Sequence, residues 1–190
     1  MLGAGHADTL TAREDLAHAY GRAGRLEEAI PLFERTLADR ERAQGRDHPD
    51  TLTARGNLAN AYYTARRVKE ALPHYEQTLA GRERAQGRDH PDTLTARGNL
   101  ASAYQSAGRL TEAQPIYEQT LADCERVLGP DHPSTLTSRG NLAQAYHAAL
   151  RLTDAVAVFE RTLADCERAL GPDHPLTQTA RENLAAVGQG

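Results

Sequence analysis

Tryptophan is missing from this 190-residue chain, methionine occurs once, and aromatic residues make up only 5%. A globule of this length ordinarily fills its centre with large apolar side chains. Their scarcity argues against one deep core. It favours thin layers of Ala and Leu buried between neighbouring units. Cysteine is scarce too, and Cys124 and Cys166 are too few for a disulfide framework. They occupy matching positions, where equivalent helices should lie about 8–10 Å apart. A relaxed disulfide wants Cα atoms within about 7 Å. Free thiols in a reducing cytoplasm are therefore expected. Lysine occurs once, at Lys69, against 21 arginines, which a GC-rich coding bias explains without a phosphate-binding role. No apolar run approaches the roughly 18 residues of a membrane span. The start, Met1-Leu2-Gly3-Ala4-Gly5-His6, lacks the charged and apolar regions of a signal peptide. A formal charge of -4 gives no electrostatic reason to expect nucleic acid or an anionic membrane.

What the chain has is repetition. Gly5-His6-Ala7-Asp8-Thr9-Leu10 returns as Asp47-His48-Pro49-Asp50-Thr51-Leu52 and as Asp89-His90-Pro91-Asp92-Thr93-Leu94. It returns again as Asp131-His132-Pro133-Ser134-Thr135-Leu136 and Asp173-His174-Pro175-Leu176-Thr177-Gln178, always 42 residues on. A fixed period of this size means one supersecondary unit copied several times. Residues 39–59 and 81–101 differ only at Asp39 and Gly81, which points to recent duplication.

Within residues 48–89, Pro49 after Asp47-His48 reads as a polar cap and a first-turn proline. Leu52, Leu58, Ala59 and Tyr62 then follow at helical spacing. The chain breaks near Ala65-Arg66, as it does at Ala23-Gly24-Arg25 and Ala107-Gly108-Arg109. A second helix carries Ala71, Leu72, Tyr75 and Leu79 and stops at Gly87. Each unit is expected to be a helix hairpin, with helix A near 49–65 and helix B near 68–86. Pro31, Pro73 and Pro115 early in helix B should bend it slightly without breaking it.

These residues resemble the tetratricopeptide repeat: Asn57-Leu58-Ala59-x-x-Tyr62, the Gly-Arg turn, Glu70-Ala71 and Tyr75-x-x-x-Leu79. The 42-residue spacing with Asp-His-Pro is similar to the kinesin light chain type, and bacterial regulators carry similar arrays. The resemblance implies an all-α fold, a right-handed α-solenoid of antiparallel helix hairpins. The repeats fall at about 6–47, 48–89, 90–131 and 132–173, followed by a capping helix at 174–187, and the whole chain reads as a single array. Met1-Leu2-Gly3 aligns with the tail of a helix B, as if cut from a longer array. At the other end Gly188 replaces the tyrosine seen at Tyr146, so the last helix should lack a partner.

The resemblance also implies that helices A line the concave face. A helical wheel places Thr53, Gly56, Asn60, Tyr63 and Thr64 on the arc opposite helix B, with Asn57 beside it. The candidate peptide-binding residues are Asn57, Asn60, Tyr63, Gly98, Asn99, Ser102, Gln105, Gly140, Asn141 and Gln144. Side-chain amides and hydroxyls both donate and accept, so they can bond a peptide backbone without demanding charge. The recurring Asn57, Asn99, Asn141 and Asn183 admit a second reading, as bonds to backbone in the neighbouring repeat. Tyr63 is either a binding anchor or a surface tyrosine. The kinesin light chain repeats carry an Asn-Asn pair where this chain has Gly56-Asn57, Gly98-Asn99 and Gly140-Asn141. Glycine leaves an uncharged floor, with Glu14 and Glu182 in its place at the ends. Arg13, Arg55, Arg97, Arg139 and Arg181 recur on the side facing helix B, which favours a structural ion pair over ligand contact.

The spacer histidines come one per repeat, too far apart to gather the four ligands of a zinc site, and are expected to cap helices. The phosphate-loop, metalloprotease and serine-hydrolase motifs do not occur, so no catalysis, cofactor or metal is expected. The expected function is a non-catalytic scaffold that binds a peptide or protein partner in its groove. The alternatives are a sensor or autoinhibitory part of a larger signalling ATPase or transcriptional regulator, or a structural array that self-associates through its ends.

Overall fold

The computed structural model describes residues 7–187, so the readings placed on Met1-Leu2-Gly3 and Gly188 lie outside the described residues. The described residues are all-α, with nine helices and no strand. They divide into two compact units, up to Ala96 and from Arg97 onward. The first holds α1 (Ala7–Arg22), α2 (Leu26–Gln44), α3 (Pro49–Thr64), α4 (Val68–Gln86) and the start of α5 (Pro91–Ser106). The second holds the rest of α5, then α6 (Leu110–Leu128), α7 (Pro133–Ala148), α8 (Leu152–Leu170) and α9 (Pro175–Val187). The odd-numbered helices are type A and the even-numbered ones type B, and the expected limits of both hold to within one residue.

The spacer histidines begin the A helices. His48 Nδ1 accepts from the Asp50 amide at 3.2 Å, and His90 and His132 do the same at 3.1 Å. His174 repeats the contact with the Leu176 amide at 3.2 Å. The proline after each histidine takes a first-turn position, where its missing N–H costs nothing. The B helices stop at Gly45, Gly87, Gly129 and Gly171, all at positive φ between 85° and 91°.

The A-to-B turn closes with a long backbone bond. Arg25, Arg67, Arg109 and Arg151 each donate their amide to the carbonyl of the tyrosine five residues earlier, at 2.9 Å. That geometry needs a left-handed residue. Gly24 and Gly108 supply it, but Arg66 (φ 61°) and Leu150 (φ 59°) must adopt it with a side chain. Each turn arginine then lies 4.2–4.7 Å over the ring of that tyrosine. Pro31, Pro73 and Pro115 lie inside helices that continue past them without a break.

The cores are thin layers, as the poverty in aromatics requires. In the second unit Ala101, Ala113, Tyr117, Leu142 and Ala145 form one layer, and Ala143, Ala155 and Phe159 another. Cys124 and Cys166 are free and buried. Burial pushes both thiols above their usual range.

The repeated arginine is the second structural device, and an ion pair, as its inward direction predicts. Arg13 bonds Asp39 at 2.6 Å, Arg97 bonds Asp123 at 2.6 Å and Arg139 bonds Asp165 at 2.5 Å, each partner on the B helix of the same hairpin. Arg55, Arg139 and Arg181 also reach the preceding B helix, at Glu41 (2.7 Å), Glu125 (2.8 Å) and Glu167 (2.8 Å). Arg139, with both partners, ties its own hairpin to the one before. Gly81 removes the aspartate that Arg55 would meet, and Leu52 fills the space where a β-carbon would stand.

Candidate functional site

In the first unit a cavity of about 300 Å³ opens between α1, α3 and the start of α2. Leu26 and Phe33 contribute its apolar wall, and His18, Arg22, Asn57 and Asn60 its polar side. Asn57 donates through Nδ2 to Glu14 Oε1 at 2.7 Å and lies 3.4 Å from His18 Nε2. The sequence allowed a bond to neighbouring backbone; the partners are instead side chains of the preceding A helix. Asn60 Oδ1 accepts from the Tyr75 hydroxyl at 2.6 Å. Burial pushes that hydroxyl far above the ordinary tyrosine range, so it stays protonated and donates.

These two bonds orient both amides. Asn57 has committed its NH₂, which leaves Oδ1 to accept. Asn60 has committed its oxygen, which leaves Nδ2 to donate. One cavity wall therefore offers one acceptor and one donor, three residues apart on the same helix face.

Tyr63 does not join them. It is half-buried, its ring edge-on to Tyr75 with centroids 6.3 Å apart. Glu14 is not a free acidic end to the surface either. It is paired with Arg40 at 3.0 Å as well as with Asn57. The acidic rim expected at the first repeat is thereby neutralised.

In the second unit a smaller cavity of about 70 Å³ lies among α7, α8 and α9. It brings together Gly140, Asn141 and Gln144 with Asn183, over Phe159 and Cys166. Gly98, Asn99, Ser102 and Gln105 lie half-buried along α5. Ser102 is already occupied: it donates to the Gly98 carbonyl at 3.1 Å and accepts from the Tyr117 hydroxyl at 2.9 Å. A β-carbon at Gly98 or Gly140 would meet nothing within 4 Å, so both positions are open.

A 15-residue relation escaped the wheel. Tyr75 faces Asn60 and Tyr117 faces Ser102, an acceptor for each hydroxyl. Phe33, which has no hydroxyl, meets His18 edge-on at 5.0 Å, and Phe159 lines the cavity with Gln144. The signal was present as matched substitutions between helices A and B, but a single-helix wheel does not compare helices.

The tetratricopeptide repeat pattern matches residues 8–84, 65–122 and 92–164. The chain belongs to the tetratricopeptide repeat family. Its structure is similar to that of a kinesin light chain-like protein of Podosopora anserina with nearly identical TPR-like repeats. The two share 32% identity over 97% of this chain and 87% of the other, with a TM-score of 0.81. BtubC (BKLC) from P. vanneervenii is 21% identical over 96% of this chain and 72% of its own, with a TM-score of 0.80. The apo form of RapI is 11% identical over 93% of this chain and 69% of its own, with a TM-score of 0.72. These last two show the shared fold. No curated protein matches the chain. The helix-hairpin solenoid class is typically a non-catalytic scaffold for protein–protein interaction. Among the described helices none is long and apolar enough to cross a membrane.

Proposed function

We propose that the polar faces of the A helices bind an extended peptide segment of a protein partner. The observation that carries this reading is the oriented pair Asn57 and Asn60. Asn57 Oδ1 is left to accept and Asn60 Nδ2 to donate, which matches the N–H and C=O of a peptide backbone. Leu26 and Phe33 offer an adjacent apolar wall for one side chain of the ligand. The open backbone at Gly98 and Gly140 gives further room along the A helices of the second unit. The chain acts without catalysis, cofactor or metal, takes protein rather than nucleic acid, and works in a reducing compartment such as the cytoplasm, where buried free thiols persist.

The test is Asn60→Asp. The carboxylate still accepts from Tyr75, so the hairpin bond survives, but the outward donor becomes an acceptor. Partners captured from a lysate of the source cells by the wild-type chain should bind the variant at least about tenfold more weakly, equivalent to ~1.4 kcal/mol. Equal affinity for both baits would exclude this surface as the binding site.

A further inference from the structure

One set of three repeat positions holds an ionic triad in the first repeat and lines a cavity in the last. In the first unit Arg40 is buried and pairs with Glu14 at 3.0 Å and with Asp50 at 3.2 Å, so one guanidinium joins α1, α2 and α3. The next repeat has Gly56 for the glutamate and keeps the pair Arg82 and Asp92 at 2.5 Å. The one after has Gly98, Cys124 and Ser134. In the last, Gly140, Cys166 and Leu176 stand at the three positions, and all three line the cavity of about 70 Å³ among α7, α8 and α9. Ser138 lies 3.6 Å from the Cys124 sulfur, and Ala180 replaces that contact at Cys166. The walls are three described helices. The first unit holds its own cavity in the same A–B–A setting, against Phe33 where this one has Phe159.

The cavity left by this exchange is neutral. Thr137, Thr162 and Thr179 each donate their hydroxyl proton to a backbone carbonyl of their own helix, at 2.9, 2.7 and 3.0 Å. Burial pushes the Cys166 thiol above its usual range, so it stays uncharged. None of the lining residues carries a charge. A charged side chain would enter without a partner, which is costly. Volume sets the second limit. An apolar cavity of about 150 Å³ holds a benzene ring. At about 70 Å³ this one has room for a small branched side chain and excludes an aromatic one.

We infer that this cavity receives a valine side chain of the bound peptide, with the buried Cys166 as its floor and the half-buried Gly140 at its rim. Cys166 and Gly140 are then the residues that set specificity in the second unit. Asn141, Gln144 and Asn183 line the same cavity and can hold the ligand backbone beside the valine. The subsite presupposes the peptide-binding reading above and fixes the size of one ligand side chain.

The probe is a phage library of short random peptides, selected on the whole chain. Valine should be enriched at one position. The most enriched sequence, made as a fluorescent peptide and titrated by anisotropy, should bind about tenfold more weakly once its valine is replaced by alanine, as the loss of two buried carbons implies. Against Cys166→Leu, which fills the cavity, the same replacement should change affinity less than about twofold. Cys166→Ala enlarges the cavity and should move the selected residue from valine to isoleucine. Circular dichroism checks that Cys166→Leu is folded. If it is not, Gly140→Val, whose β-carbon has room, closes the cavity from the rim and makes the same test. Enriched peptides without a valine preference would overturn the subsite and leave peptide binding standing. A preference that Cys166→Leu or Gly140→Val leaves unchanged would do the same. No enriched peptide at all would overturn both. Self-association in sedimentation that Cys166→Leu removes would give the cavity to a second copy of the chain and overturn the subsite.

Discussion

Leu150 holds a left-handed backbone at φ 59° with its side chain 83% exposed. The strain there is not compensated by packing, and the same turn position holds glycine at Gly24 and Gly108. Leu150→Gly should stabilise the chain by about 0.5–1 kcal/mol, because relief of the left-handed strain outweighs the extra freedom of the unfolded glycine. Urea denaturation measures it, and a loss of stability would show that Leu150 makes contacts worth more than the strain. Gly98 poses the opposite case. Its backbone is helical and its β-carbon site empty, so Gly98→Ala should add about 0.5–1 kcal/mol. His74 is the third residue of interest. It stands where the other repeats carry Leu32, Ile116 and Val158, stacked on Tyr62 with its Nδ1 buried and without a partner. Burial first, then the Arg55 charge, lowers its pKa below the ordinary 6.5. The native state therefore holds this imidazole neutral, while the unfolded chain takes up a proton first as the medium is acidified. The stability it contributes is complete above about pH 6.5 and is lost as pH falls toward its lowered native pKa. His74→Leu should lose less stability than the wild type between pH 7.5 and pH 5.5, measured by denaturation at both. An unchanged difference would show that His74 does not titrate with folding.

At the scale of the element, most of the structure was legible in the sequence. Spacing alone located both helices of residues 48–89, the turn between them and the glycine that ends the second, because helix limits are set by local chemistry. The inward arginine was legible for the same reason: its wheel angle pointed to helix B, where Asp39, Asp123 and Asp165 receive it. The functional side chains were less legible. Asn57, Asn60 and Ser102 looked free on the wheel, but each is committed to a partner 15 or more residues away. Tyr63, read as either a binding anchor or a surface tyrosine, packs edge-to-face with Tyr75 of another helix. Contacts between helices decide these cases, and a wheel contains one helix. The spacer histidines fall on the local side of this line. His132 accepts from the amide two residues on, so His132→Ala should cost about 1 kcal/mol and His132→Asn should restore most of it. Because Nδ1 is turned to its own helix, chelator should leave the melting temperature unchanged. A drop of several degrees would instead assign the histidines to a metal.

For the whole molecule, repetition explains both the stability and the uneven chemistry. Each unit is a stack of thin layers tied by one arginine per repeat, and stability is close to a sum over repeats and their interfaces. Where the copies agree, as at the capping histidines, the side chain serves the stack. The A-helix face is among the places where they differ, at Glu14, Gly56, Gly98 and Gly140 and at His18, Asn60, Ser102 and Gln144. That face is where the account places peptide binding, and Gly98→Leu tests it most directly. A β-carbon at this position meets nothing within 4 Å, so the variant should stay folded, with a melting temperature near that of the wild type. Titration calorimetry with the captured partner should then show binding lost, at least about a hundredfold weaker or ~2.7 kcal/mol. A folded Gly98→Leu variant that binds its partner with wild-type affinity would contradict the account.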